Sequence, residues 1–224
     1  PDIVEPLKVQ PDYSLGFVRE TPKGGLPAYG GKGTYNQPLA LSYRGFLGRG
    51  QVEYLSATIK SKDIVFMPDS MKSVSDTFFV KENATFPAMA NGRCNQHWYP
   101  YEDSMRVEQR QPGSKFIMYR GDAKLGGMVT LRPAGATAKG TFYINEGTIA
   151  SQRFTLNPRQ MDANVSTFIL NSTIYTDVVA FKANNMKSHV DYDKKIGEFT
   201  APRIERTELP LLKYLAYVDK FSWA

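Results

Sequence analysis

The stretch Thr141-Phe142-Tyr143-Ile144-Asn145-Glu146-Gly147-Thr148 matches Thr77-Phe78-Phe79-Val80-Lys81-Glu82-Asn83-Ala84 in order and character. Each runs from a hydroxyl residue through aromatic and β-branched residues into a polar, Glu-bearing turn, which reads as a strand and its exit. Upstream of each lies a second matching block. Tyr43-Arg44-Gly45 is followed by Leu47-Gly48 and Val52, and Tyr119-Arg120-Gly121 by Leu125-Gly126 and Val129. The offsets are 119 − 43 = 76 and 141 − 77 = 64, so the first copy carries 12 extra residues, a loop-sized insertion. The pattern reads as a degenerate duplication, with copies over 41–86 and 117–150 related by pseudo-twofold symmetry around one core. Two copies are too few for a solenoid.

The remainder of the chain sorts around this pair. Residues 1–40 hold Pro1, Pro6, Pro11, Pro22, Pro27 and Pro38 with Gly24, Gly25, Gly30, Gly31 and Gly33. Breakers at that density predict an extended arm, and Tyr13, Phe17, Tyr29 and Tyr35 predict that the arm lies against something. Residues 39–67, 77–80, 115–131, 140–156 and 166–181 read as strands. One helical turn is expected after Asp69. A helix is expected from Pro100, with Glu102 and Asp103 in its first turn and Pro112-Gly113 closing it. Pro210 followed by Leu211, Leu215 and Val218 at helical spacing predicts a C-terminal helix over about 210–221. The expected fold is thus α+β and β-rich: two pseudo-repeated short-strand units, a few short helices and long extended arms. It divides into an arm at 1–40, a duplicated core at 41–160, and a β segment with the terminal helix at 161–224.

Composition narrows the function classes. The 224 residues carry 28 Lys+Arg against 22 Asp+Glu, a net charge of +6, and no run approaches the ~20 apolar residues of a membrane-spanning helix. The chain begins at Pro1 rather than Met, so any targeting segment is out of view. One Cys excludes a disulfide framework and a four-Cys zinc site. Basic residues stand singly, without the block that marks a nucleic-acid arm, and a dispersed basic surface rich in aromatics suits an acidic, protein-like partner as well as a polyanion.

Catalytic signatures are missing. Gly25 to Thr34 hints at a phosphate loop, but Lys32 is followed by Gly33 and no apolar strand precedes it. There is no nucleophile elbow, and only His97 and His189 offer imidazole chemistry. Cys94 and His97 have metal-like spacing without a second ligand pair, so no metal is expected. Cys94 reads first as a structural or free thiol; the polar stretch Asn91-Gly92-Arg93-Cys94-Asn95-Gln96, read as an exposed loop, makes it a modification point as the alternative. Sequons at Asn83, Asn164 and Asn171 would matter in a secreted chain. The reading is of a non-enzyme. Its candidate partner-binding residues are Tyr43, Arg44, Tyr119, Arg120, Phe142 and Tyr143, with each Arg placed to grip a carboxylate beside a packed ring.

The 141–148 block, its partner at 77–84, the basic balance and the Pro/Gly arm together resemble the phycobilisome linker polypeptides, most of all the γ-type linkers of red-algal phycoerythrin. The similarity touches about a third of the chain. It implies a linker lying in the cavity of acidic phycobiliprotein α/β hexamers, ordering their stacking with other linkers and tuning energy transfer, on the stromal side of the thylakoid in a chloroplast. It also implies contact with the bilins of neighbouring subunits. Chromophore-bearing relatives carry several Cys, whereas Lys81 and Asn145 stand beside the Glu residues here, so at most one bilin would attach, at Cys94. The competing classes are a viral or phage capsid component and a secreted β-rich binding protein. Within residues 1–40, Lys8, Arg19, Lys23 and Lys32 are cancelled by Asp2, Glu5, Asp12 and Glu20, which counts against genome contact.

Overall fold

The computed structural model describes residues 4–9, 15–19, 25–37, 39–111, 113–145, 147–175 and 178–224. It is a β protein built on a large antiparallel sheet. Its helical content among the described residues is three single-turn 3-10 segments of three residues each. The chain divides into two compact units: 1–81 with 90–114 and 130–133, and 82–89 with 115–129 and 134–224.

The first unit contains β1 (Val4–Val9), β2 (Leu15–Arg19), β3 (Leu26–Ala28), β4 (Gly33–Asn36), β5 (Leu39–Ser42), β6 (Gly45–Tyr54), β7 (Ala57–Phe66) and β8 (Met71–Val80). After β9 (Met89–Asn91) come β10 (Cys94–Tyr99) and β11 (Ser104–Gln109). β1 pairs with β2, β2 with β5, β5 with β6, and β6, β7, β8, β10 and β11 succeed one another as antiparallel neighbours. The β3–β4 hairpin joins through β4 to the far half of β6. The second unit contains β12 (Phe116–Met118), most of β13 (Ala123–Arg132), β14 (Gly135–Ile144), β15 (Gly147–Leu156), β16 (Gln160–Asn171), β17 (Val179–Asp191), β18 (Ile196–Leu209) and β19 (Tyr214–Trp223). β14 through β19 form an unbroken antiparallel meander.

Side-chain alternation sets the core. In β10, Cys94, Gln96 and Trp98 are buried while Asn95, His97 and Tyr99 point the other way. Two rings pack on Trp98 at 5.0 Å, Tyr29 and Tyr54. In the second unit, Phe142 meets Phe154 edge-on at 4.9 Å, and Phe168 meets Phe199 at 4.5 Å. Burying a ring of this size contributes roughly 1.5–3 kcal/mol, so these clusters hold each unit together.

Some local features recur 90 residues apart, a spacing that differs from the offsets of the sequence blocks. β6, β7 and β8 recur as β14, β15 and β16, with Gly45/Gly135, Gly50/Gly140, Ile59/Ile149, Ser61/Ser151, Pro68/Pro158, Met71/Met161 and Phe78/Phe168 each 90 apart (135 − 45 = 90). The local chemistry recurs too. The Ser61 hydroxyl sits 2.6 Å from Val74 O and accepts the Asp63 N–H, while Ser151 sits 2.6 Å from Val165 O and accepts the Arg153 N–H. The β7–β8 turn closes by Met67 N–H to Ser70 O and the β15–β16 turn by Asn157 N–H to Gln160 O. Tyr29 and Tyr119, at φ 49 and 53, each donate a hydroxyl 41 residues onward, to Ser70 O and Gln160 O. Gly50 and Gly140 have φ 151 and 137 and no room for a side chain: a Cβ would overlap Asn36 O at the first and Gly126 O at the second.

Several expectations are therefore corrected. Thr77–Val80 ends β8 whereas Thr141–Ile144 ends β14, so the two blocks occupy non-equivalent strands and the 41–86/117–150 alignment fails. The true counterpart of Thr77-Phe78-Phe79-Val80 is Thr167-Phe168-Ile169-Leu170. The α component is absent from the described residues. Pro210 starts a 3-10 turn that ends at Lys213 (φ 55), and β19 replaces the helix expected over 210–221 because its Tyr, Val, Phe and Trp residues join the β18 ladder. Pro100 likewise starts a short turn that Asp103 (φ 45) reverses into β11. The chain turns back at Met67–Ser70 where a helical turn was expected. In the arm, the described residues form β1 to β4 and enter β5. Pro6 fits because β1 has β2 as its one ladder partner among the described residues and its register shifts between Glu5 and Lys8.

Candidate functional site

The residues singled out from the sequence do not gather into one site. Tyr43 and Arg44 make the two-residue turn between β5 and β6, where Tyr43 is 84% exposed and Arg44 is exposed. Arg120 is exposed and forks onto the Glu82 carboxylate through Nε and Nη2. Tyr143 is half-buried beneath Lys115, whose Nζ lies 3.5 Å from the ring centre. Tyr119 and Phe142 are fully buried inside this chain rather than on its surface. Tyr119 stacks on Tyr192 at 3.9 Å, and burial raises both hydroxyls far above the usual tyrosine range. It is a packing and capping residue: its hydroxyl closes the Asn157–Gln160 turn. Glu146 lies outside the described residues.

Cys94 is corrected as well. It opens β10 on the buried face, and burial pushes its thiol up to about 11 despite the contact from Ser75. A bilin could not reach it without unfolding the strand. Cys94 and His97, three apart on a strand, point to opposite faces, so their metal-like spacing brings no ligands together. Among the described residues no three metal-ligating side chains gather.

The structure does assemble one cluster that the sequence hid. Three adjacent strands place Lys72 (β8), His97 (β10) and Arg106 (β11) in one cross-strand row, His97 directly opposite each of the others. Tyr99 lies beside His97, with its hydroxyl 2.6 Å from Nδ1 and ring centres 3.9 Å apart. The Arg106 guanidinium sits 5.3 Å over the Tyr99 ring. These residues and Arg44 line a concave surface of about 360 Å³, as do the two carboxylates Asp63 and Glu108. Burial first, then Lys72 and Arg106, lower the His97 pKa below its ordinary 6.5. The neutral ring pairs with the Tyr99 hydroxyl through Nδ1, which leaves Nε2 facing away from that contact. Three cations around one imidazole make a receptor for carboxylates. Cross-strand neighbours come from residues 72, 97 and 106, which no linear motif joins.

The second repeat carries the same row with the opposite sign. Asp162 (β16), His189 (β17) and Glu198 (β18) are cross-strand neighbours. His189 Nδ1 lies 2.7 Å from Asp162 Oδ1, and Lys220 on β19 lies 3.6 Å from Glu198. A second concavity of about 600 Å³ lies over β14 to β16 and is lined by hydroxyl and amide side chains with Lys139, Arg153 and Asp162.

No protein-family model, curated protein or solved structure matches this chain. No helix among the described residues is long and apolar enough to cross a membrane.

Proposed function

We propose that this chain is a non-catalytic repeat scaffold for assembly, and that its first repeat engages an acidic protein partner through Arg44, Lys72, His97 and Arg106. The observation that carries this reading is the charge reversal between repeats. The Ser61 hydroxyl contacts in β7 recur at Ser151 in β15, while the cross-strand row is Lys72-His97-Arg106 in one and Asp162-His189-Glu198 in the other. A scaffold that keeps its inside and varies its outside presents a different docking face on each repeat. The net charge of +6 and the exposed Tyr43 beside Arg44, an apolar anchor next to a cation, support a protein partner.

The antenna-linker form of this reading takes the partner to be acidic phycobiliprotein hexamers, as the resemblance implies. It is tested by sedimenting the full chain with purified hexamers at low and high salt. Salt-sensitive co-sedimentation, lost in Lys72→Glu/Arg106→Glu and kept in Asp162→Asn/Glu198→Gln, is the expected result. Equal behaviour of both double variants removes the basic row from the proposal. No binding by the parent chain removes the antenna as its partner.

A further inference from the structure

β19 is an edge strand. It pairs with β18, and no second ladder partner for it is found among the described residues. None of its ten residues is buried. Tyr214, Leu215 and Tyr217 are 69, 53 and 73% exposed, and Leu212 in the preceding turn is 62% exposed. An edge this apolar and this long, with only Asp219 and Lys220 as charges, lacks the usual protection against pairing.

The repeat says what covers such an edge. β12 enters the ten-residue β13 through a three-residue 3-10 turn, and β18 enters the ten-residue β19 in the same way. β13 has Ala123, Leu125, Val129 and Leu131 buried, whereas β19 has no buried counterpart. The two differ in their neighbours. Gly127 of β13 lies against Lys139 and Gly140 of β14, so close that a Cβ would overlap Lys139 O, and β19 has no such strand beside it among the described residues. In both repeats that covering strand begins with Gly and has Gly again at its sixth position, Gly45 and Gly50 in β6, Gly135 and Gly140 in β14. Apolar residues occupy its eighth and tenth positions, Val52 and Tyr54, Phe142 and Ile144.

We propose that β19 is an acceptor edge for an unpaired Gly-x-x-x-x-Gly-x-apolar-x-apolar strand of a partner protein, which enters antiparallel. Main-chain hydrogen bonds supply affinity and the sixth-position glycine sets the register, as in strand addition generally. This goes beyond the acidic-partner reading and does not depend on it.

The test uses the full chain and a capped peptide of residues 135–144. Saturable 1:1 binding that slows hydrogen exchange at the β19 amides at least tenfold is expected. The peptide with Gly140→Val, or the chain with the surface change Tyr217→Lys, should bind at least tenfold more weakly. Failure of the parent peptide to bind, protection on another strand, or equal binding of the Gly140→Val peptide overturns the proposal. A dimer of the chain alone that protects β19 while the peptide fails to compete would show the edge closing on itself and would overturn a partner strand as its occupant.

Discussion

At the scale of the residue, burial decides chemistry more than residue type does. Cys94 has a thiol pushed up to about 11 on the inner face of β10. At pH 8 it should therefore resist iodoacetamide in the native chain and react within minutes in 6 M guanidinium. Rapid native labelling would show that β10 opens. Tyr119→Phe keeps the ring and deletes the hydroxyl that caps Gln160 O, and a lost hydrogen bond of this kind costs about 1 kcal/mol. Tyr29→Phe should cost a similar amount, because Tyr29 makes the equivalent bond. Urea melts of the two variants check this, and a larger loss at one position would break the equivalence of the repeats. Gly140→Ala should cost more, about 3 kcal/mol, since it meets both a positive φ and the Gly126 carbonyl. Tyr119 and Phe142 stand out in the sequence as special residues, yet they serve the core rather than the surface. Aromatic residues mark cores and interfaces alike, and nothing in a linear sequence separates the two.

At the scale of the element, strands were the legible part. Alternation and β-branched content placed β5 to β7, β13 and β15 near their observed positions and caught the ends of β8 and β14, while 71–76 of β8 was expected as a helical turn. The two Pro-led turns were not legible as turns, since Pro at a first helical position and Pro at a hairpin corner look alike until the ladder is known. The β17–β18 turn offers a test by pH. Asp191 accepts the N–H groups of Lys194 and Asp193 and the Gln160 amide, which hold its carboxyl below the usual 3.8. A lowered carboxyl stabilises the fold above the unfolded value and loses that contribution as pH falls through the folded one. Asp191→Asn should therefore flatten the acid limb of the stability curve below about pH 4, where unfolding is followed by circular dichroism. His97 runs the other way for binding. A carboxylate partner favours its protonated form, so affinity for an acidic partner should rise as pH falls toward the lowered His97 range. His97→Gln should erase that rise, with titration calorimetry between pH 5.5 and 7.5 as the readout.

At the scale of the whole molecule, the repeat was half legible. Its existence is signalled by recurring Tyr-x-Gly and Thr-Phe blocks, but each block occurs more than twice, and likeness alone matches the wrong pair. Thr77-Phe78 resembles Thr141-Phe142 as well as Thr167-Phe168, and only strand pairing selects the second. The basic row was not legible at all, because its members come together through register rather than spacing.

The hydroxyl bonds from Tyr29 to Ser70 and from Tyr119 to Gln160 each span 41 residues, the same reach in both repeats. A chain made from its N-terminus cannot close the first of these until residue 70 has left the ribosome, nor the second until residue 160 has. During synthesis each bond thus waits on the same fixed length of nascent chain. Added residues inside either span, in the short turns between 29 and 70 or between 119 and 160, would delay the bond that closes it. Added residues in the connections at 82–88 and 172–175 fall outside both spans and would leave the timing untouched.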